Sequence, residues 1–182
     1  SKAAMTAYQK YEGNPADLKF FISEVGRDNQ KKFESLKYWI SVWEANGAKI
    51  DGINAKLSLS YSEDEAKQAE NKADFDRLLD NLVSAGKLIR LSNFDITYKD
   101  ASGTNVAAKD ITEEQRQRLA DYYAYVIKSY MSKVPSDKQA GLCKGNMVDT
   151  SDPVGLWSID SKSKDWVRTA TYKAFCDALS GK

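Results

Sequence analysis

Few residues of this chain could do chemistry, and most of them are acids or amides. Asn93 and Asp95 flank Phe94 at the end of a run, Lys87-Leu88-Ile89-Arg90-Leu91-Ser92, that reads as a buried strand. Glu24 follows a second apolar run, Leu18-Lys19-Phe20-Phe21-Ile22. Two carboxylates at strand ends could share general acid and base work. The plainer reading is that Asp95 supports the strand mouth by hydrogen bonds and Glu24 is solvated. Lys56 and Ser58 lie in a third run, Ile53 to Leu59. Lys56 could meet an acidic ligand, although a strand-end lysine is more often solvated or paired. Trp166 sits in the charged stretch Lys162 to Arg168 and is the best candidate for an exposed aromatic platform, the kind of face on which sugar rings stack.

Much other chemistry is excluded. With no histidine, Ser-His and Cys-His nucleophilic systems and imidazole metal ligands are out of reach. Cys143 and Cys176 lie too far apart for a zinc spacing and read as small apolar residues, with a disulfide between them left open. Neither G-x-G-x-x-G nor G-x-x-x-x-G-K-[ST] occurs, so no nucleotide cofactor is expected, and no metal is expected either. A formal charge of +1 gives no reason to expect a nucleic acid partner. No apolar run is long enough to span a membrane, and no signal peptide is visible at Ser1. The 182 residues, 42% hydrophobic and 29% charged, suit one globular domain over 1–182.

The elements that must position these residues alternate in kind. After each apolar run comes a helical pattern. In the first, Phe33, Leu36, Trp39, Ile40 and Trp43 recur at spacings of three and four, so both tryptophans are expected in the core. The second opens at Ser62 with Glu65, in the form of a capping box. It carries Ala66, Ala69, Phe75, Leu78, Leu79 and Leu82 to a stop at Gly86. After a polar turn over 100–105, Thr112 with Gln115 opens a third helix, with Leu119, Tyr122, Tyr123, Val126, Ile127 and Tyr130 as its stripe and Pro135 as its end. Gly141-Leu142-Cys143 is a weaker strand, a long loop runs from Asp149 to about Val167, and a last helix turns Tyr172, Phe175 and Leu179 inward. Strand then helix, four times over, predicts α/β architecture with a parallel sheet, either closed or open.

Several of these segments resemble glycoside hydrolase family 10, the β-1,4-xylanases, in the right order. Ala16 to Ile22 is similar to the family's fifth barrel strand, Lys49-Ile50-Asp51-Gly52-Ile53 to the approach to the sixth, and Gly86 to Ile96 to the seventh. Pro153-Val154-Gly155-Leu156-Trp157 resembles the loop after the eighth, and Tyr172-Lys173-Ala174-Phe175 with Leu179 the closing helix. The resemblance implies the last four βα units of a (β/α)8 TIM barrel, a half-barrel whose acid/base glutamate would belong to the missing first half.

At the strand ends, where such barrels keep their reacting groups, the likeness fails. The family's nucleophilic glutamate corresponds to Asn93, and an amide cannot form the glycosyl ester that a retaining mechanism needs. The fifth strand ends in Ser23, Glu24, Val25 and Gly26, and the sixth offers Lys56 and Ser58. A tryptophan that floors the sugar site corresponds to about Gly145. The core positions Phe20, Ile22, Ile53, Leu88, Ile89 and Leu91 are kept. The resemblance thus implies a catalytically inactive, xylan-type glycan-binding or accessory protein, extracellular, at the cell surface or in the periplasm, with Lys56, Ser58, Asn93 and Trp166 as ligand contacts. The alternatives are a hydrolase completed by a missing half, with Glu24 or Asp95 as nucleophile, and a spacer or protein-interaction domain. A half-barrel leaves two open sheet edges, so the piece is expected to pair with the missing half, to dimerise, or to stand as an open sheet.

Overall fold

Alternation of short β-branched runs with amphipathic helices builds a parallel sheet, because each strand can return beside its predecessor only through a crossover helix. The computed structural model describes residues 1–25 and 30–181; Gly26 and the side chain of Glu24 lie outside the described residues. A helix α1 (Lys2–Lys10) leads through a 3-10 turn (Pro15–Asp17) to β1 (Phe21–Val25), then α2 (Gln30–Ala45) and β2 (Gly52–Lys56). There follow β3 (Leu59–Ser62), α3 (Glu65–Ser84), β4 (Leu88–Ser92), β5 (Ile96–Lys99), α4 (Glu113–Lys133) and β6 (Gln139–Leu142). The chain closes with the hairpin β7 (Trp157–Ile159) and β8 (Trp166–Arg168), then α5 (Ala170–Leu179).

The main sheet has the order β1-β2-β4-β6, all parallel. Ile22, Ile53 and Ile89 share one register row, and Ser23, Asn54 and Arg90 the next. Successive residues on a strand face opposite sides. Ile53, Ala55, Ile89 and Leu91 are buried under the helices, together with Leu79 and Leu82 of α3 and Tyr123, Val126, Ile127 and Tyr130 of α4. Each such Leu or Ile contributes roughly 1.5–3 kcal/mol on leaving water. Tyr130 is tied in by its hydroxyl, which donates to the Ile89 carbonyl at 2.8 Å and accepts from the Gly141 amide at 3.1 Å.

Several expectations are corrected. Trp39 and Trp43 are 48% and 41% exposed. The buried stripe of α2 is Phe33, Leu36 and Ile40; Trp39 lies about 100° round the helix from Ile40, Trp43 stands a turn further along at the edge of the stripe, and the two rings stack at 6.1 Å. Ala66 and Ala69 are exposed; the first turns of α3 meet β3 through the polar residues Gln68 and Asn71, which bond to the backbone of Ser62 and Ser60, and its apolar burial starts at Phe75. Leu179, the last residue of α5, is exposed for want of a neighbour at the helix end. The cap of α3 is Asp64, whose carboxylate accepts from the Lys67 amide at 2.8 Å, because Ser62 is a buried residue of β3. The Thr112–Gln115 capping box is present. Cys143 is half-buried, Cys176 is exposed, and they are not bonded to each other. The run Ile53 to Leu59 divides into β2 and β3, and the loop 149–167 contains the β7–β8 hairpin.

That division has a structural use. Both β2 and β4 bend at their C-terminal ends and continue as β3 and β5, which pair with each other as a second parallel sheet. The bends coincide with the segments carrying Ser58, Asn93 and Asp95.

Candidate active site

In a parallel sheet flanked by helices, the strand C-termini form the mouth where loops can gather side chains. Here β2 delivers Lys56 and Ser58, β4 delivers Ser92, Asn93 and Asp95, and β6 delivers Cys143, Lys144 and Gly145. Leu57 joins the first two groups. Its amide donates to the Ser92 carbonyl at 2.8 Å, and its carbonyl accepts from Nδ2 of Asn93 at 3.1 Å. Asn93 itself has φ of +54°, in the left-handed region that asparagine tolerates better than most residues. The Asp95 amide closes the turn on the Asn93 carbonyl at 2.8 Å. Asn93 is thus the pin of the bend between β4 and β5, and its amide donates where a carboxylate would set acceptor against acceptor.

Asp95 is held from the β6 side. Its Oδ1 accepts from Nζ of Lys144 and from the Asn146 amide at 3.1 Å, and its Oδ2 from Nδ2 of Asn146 at 2.6 Å. The Lys144 side chain is 6% exposed and that of Asp95 14%. Nζ of Lys144 also donates to the Val154 carbonyl at 2.7 Å and lies 5.3 Å from the Tyr123 ring centre. Burial holds the ammonium below the ordinary lysine value, and the Asp95 carboxylate works against that fall. The Tyr123 hydroxyl shares the Val154 carbonyl at 3.1 Å and receives the Ile96 amide at 2.8 Å. Gly145 lies against Asp95: a Cβ there would stand 2.4 Å from Oδ2. No aromatic floor can occupy that backbone position without displacing the carboxylate.

The loop beyond β6 is fixed in the same way. Oδ2 of Asp149 accepts from Arg116 at 2.6 Å and its Oδ1 from the Gly155 amide at 2.8 Å. On the far side of the second sheet, Glu63 accepts from the Tyr98 hydroxyl at 2.8 Å, Gln115 at 2.9 Å and the Ala101 amide at 3.1 Å. Those bonds, the Gln115 amide first, lower its pKa.

Of the residues singled out in the sequence, Lys56, Ser58, Asn93 and Asp95 meet at the mouth. Lys56 and Ser58 are exposed, and no hydrogen bond or ion pair involves Lys56 among the described residues. Trp166 is 57% exposed but lies on the β7–β8 hairpin, outside the main sheet. Trp157 packs at the hairpin base, edge-on to Tyr172 at 5.4 Å with Arg168 over both rings. Lys144 and Asn146, absent from the sequence reading, complete the setting of Asp95. The signal was a lysine directly after the Gly141-Leu142-Cys143 run. Among the described residues no cluster of His, Cys, Asp or Glu could hold a metal ion, and no helix is long and apolar enough to cross a membrane.

Four parallel strand–helix units with their reacting ends gathered at one mouth define a partial (β/α)8 barrel. Solved structures carry the same arrangement. Penicillium canescens endo-1,4-beta-xylanase XylE superposes with a TM-score of 0.66 at 17% identity, covering 100% of this chain and 51% of its own. A thermostable mutant of the xylanase Xyn10A from Cellvibrio japonicus gives 0.66 at 14%, over 100% and 55%. The E385A mutant of Cellvibrio japonicus Xylanase10C, solved in complex with xylopentaose, gives 0.64 at 15%, over 98% and 37%. The chain therefore spans about half or less of these proteins. A local match of 63 residues, 35% identical, links 34% of the chain to 10% of the 1,4-alpha-glucan branching enzyme GlgB of Cutibacterium acnes. The profile of glycosyl hydrolase family 10 matches residues 3–169, and the chain belongs to that family.

Proposed function

We propose that residues 1–182 act as one domain, the C-terminal part of a xylanase-like barrel, and that they serve xylan-type polysaccharide binding rather than hydrolysis. The observation that carries the reading is the state of the two residues at the nucleophile strand. Asn93 is an amide committed to the Leu57 carbonyl, and Asp95 is committed to Lys144 and Asn146. A retaining glycosidase needs a carboxylate free to attack the anomeric carbon. Exposed groups at the mouth, Lys56, Ser58 and Asn93, are left to meet hydroxyls, with Trp166 as an outlying platform. The xylopentaose bound by the Cellvibrio enzyme supports the ligand class. Family membership supports an accessory role in polysaccharide use, outside the cytoplasm.

The test uses the longest natural form of the protein in affinity electrophoresis against xylan, arabinoxylan, mannan and β-glucan, with reducing-sugar release measured on the same substrates. Retardation by xylan without sugar release is expected. Sugar release from xylan that Asp95→Ala or Glu24→Ala abolishes would overturn the reading and name the nucleophile. Retardation by none of the glycans would leave the domain as a spacer.

A further inference from the structure

Away from the strand mouth, a second set of polar groups with bonding capacity to spare lies on the outer flank, between the first turns of α3, the end of β3 and the first half of α4. Two adjoining hollows open there. One, of about 210 Å³, is lined by Tyr61, Gln68, Lys72, Arg118, Asp121 and Tyr122. The other, of about 270 Å³, shares Tyr61, Gln68 and Lys72 with it and adds Glu63 and Glu65. None of the mouth residues Lys56, Ser58, Asn93 and Asp95 borders either hollow. The lining is polar and incompletely bonded. Gln68 is 8% exposed, and its orientation is fixed: Oε1 accepts from the Ser62 amide at 2.9 Å and from Nδ2 of Asn71 at 3.4 Å. Its Nε2 is left as an enclosed donor without a partner, and the hydroxyl of Tyr122, a residue 2% exposed, is in the same condition. Most buried side-chain polar atoms have a hydrogen-bond partner, so two exceptions lining one hollow call for an explanation. Lys72 is exposed, and its Nζ, 5.1 Å from the Tyr125 ring centre, has no hydrogen bond or ion pair among the described residues. Arg118 is held by Glu114 through Nη2 alone, and Asp121 accepts from Gln117 through Oδ1 alone, so each keeps further bonding capacity. Tyr61 stacks on Tyr98 at 4.9 Å and stands edge-on to Tyr122 at 6.2 Å, an aromatic wall common to both hollows.

We propose that this flank is a second saccharide site, separate from the mouth, which takes two consecutive rings of a neutral glycan chain, one in each hollow, across Tyr61. The ligand class follows from the lining. Lys72 and Arg118 are set against Asp121 and Glu65, so neither sign of charge is favoured. An anion would meet those carboxylates, and an apolar ligand would leave Nε2 of Gln68 and the Tyr122 hydroxyl without partners. A sugar hydroxyl donates and accepts at once, so it can take a bond from Gln68 or Lys72 and give one to Asp121 or Glu65. The C–H face of a sugar ring rests on an aromatic wall such as Tyr61. Each hollow is below the roughly 300–1,000 Å³ of sites for drug-sized ligands, which suits one ring apiece. The proposal deepens the glycan-binding reading and rests on it, but it uses none of the mouth residues.

The probes are xylose and xylobiose, titrated by calorimetry into the longest natural form of the protein and into two double variants of it. The flank pair is Lys72→Met/Tyr122→Phe, and the mouth pair is Lys56→Ala/Ser58→Ala. Lys72 is exposed and the Tyr122 hydroxyl is unbonded, so the flank pair should melt with the wild type. Xylobiose is expected to bind the wild type at both places and at least tenfold more tightly than xylose. The flank pair should lose one of the two binding events, and the mouth pair the other. Binding that the flank pair leaves whole while the mouth pair abolishes it would overturn this proposal alone. Xylose bound at the flank as tightly as xylobiose would overturn the assignment of two rings. No binding of either sugar by the wild type would overturn the proposal together with the glycan-binding reading.

Discussion

Replacing Asp95 by Asn should be among the most damaging single changes at the strand mouth, and the structure says by how much. Nζ of Lys144 has two oxygen partners, Asp95 and the Val154 carbonyl, and its side chain is almost fully enclosed. Removing one partner of a buried pair leaves the other charge uncompensated, at a cost of about 3–5 kcal/mol. For a chain of this size each kcal/mol moves Tm by about 2–4 °C, so Asp95→Asn should lower Tm by roughly 6–20 °C. Lys144→Met should cost less, about 1–2 kcal/mol, since Asp95 keeps two bonds from Asn146 and some contact with water. The double variant should recover to within about 1 kcal/mol of wild type, because neither charge is then stranded. The pH dependence is a second signature. Lys144 has a folded-state value below its unfolded one, so the unfolded chain binds more protons across that interval and stability rises with pH there. Without Asp95 the folded value falls further and the interval widens. The deficit of Asp95→Asn should therefore shrink as the pH rises toward the ordinary lysine value. Above that range the phenols of Tyr98, Tyr122, Tyr123, Tyr125 and Tyr130, all raised chiefly by burial, lower the stability of every variant as the unfolded chain ionises first. Urea unfolding across this range measures both quantities. An Asp95→Asn deficit smaller than that of Lys144→Met, or one that grows toward alkaline pH, would refute the stranded-ammonium argument.

Other positions yield sharper but smaller effects. Asn93→Asp sets a carboxylate against the Leu57 carbonyl and should cost about 1–2 kcal/mol at neutral pH, regained in acid as the new group protonates and can donate; equal stability at pH 3 and pH 7 relative to wild type would contradict this. Asn93→Gly keeps the left-handed backbone and should lose only the hydrogen bond, about 1 kcal/mol, whereas Asn93→Ala adds about 1–2 kcal/mol of backbone strain, an ordering that chemical denaturation reads directly. Glu63→Gln should cost about 1–2 kcal/mol above pH 5 and nothing below the depressed value of Glu63, because a lowered carboxylate stabilises above its unfolded value and loses that effect as it protonates; parallel acid melts of wild type and variant would disprove it. Gly155→Ala drives a Cβ to 2.1 Å from the Asp149 amide nitrogen and 2.5 Å from the Trp157 carbonyl, with backbone on every side, and should lower Tm by more than about 5 °C; a near-silent Gly155→Ala melt would show that the loop yields.

The parts of this molecule that were legible in the sequence share a physical cause. Four strand–helix repeats, the Thr112 capping box and the α4 stripe depend on local spacing, and local spacing is written along the chain. What was misread depends on neighbours distant in sequence. Trp39 and Trp43 fit a three-and-four pattern, but the burial of α2 was decided by a narrower stripe against the sheet. Ser62 offered itself as a cap and was taken into β3 by pairing with Lys99, 37 positions away. At the site the same division holds. The strand-end location of Asn93 and Asp95 was readable, whereas the Leu57 carbonyl that engages one and the Lys144 ammonium that engages the other come from different strands.

The helix side and the mouth of the main sheet are held by different forces. Toward the helices, Ile53, Ala55, Ile89 and Leu91 keep the volumes that a packed layer requires, and a loss there would be felt at once as a cavity. Toward the mouth, the Asn93 amide meets the Leu57 carbonyl, and Lys144, beside Gly145, meets Asp95. A carboxylate placed at position 93 would break the bond to the Leu57 carbonyl and find Asp95 still engaged with Lys144. Arg90 and Lys56, both exposed and neither in a hydrogen bond or ion pair among the described residues, lie on the face of the sheet away from the helices.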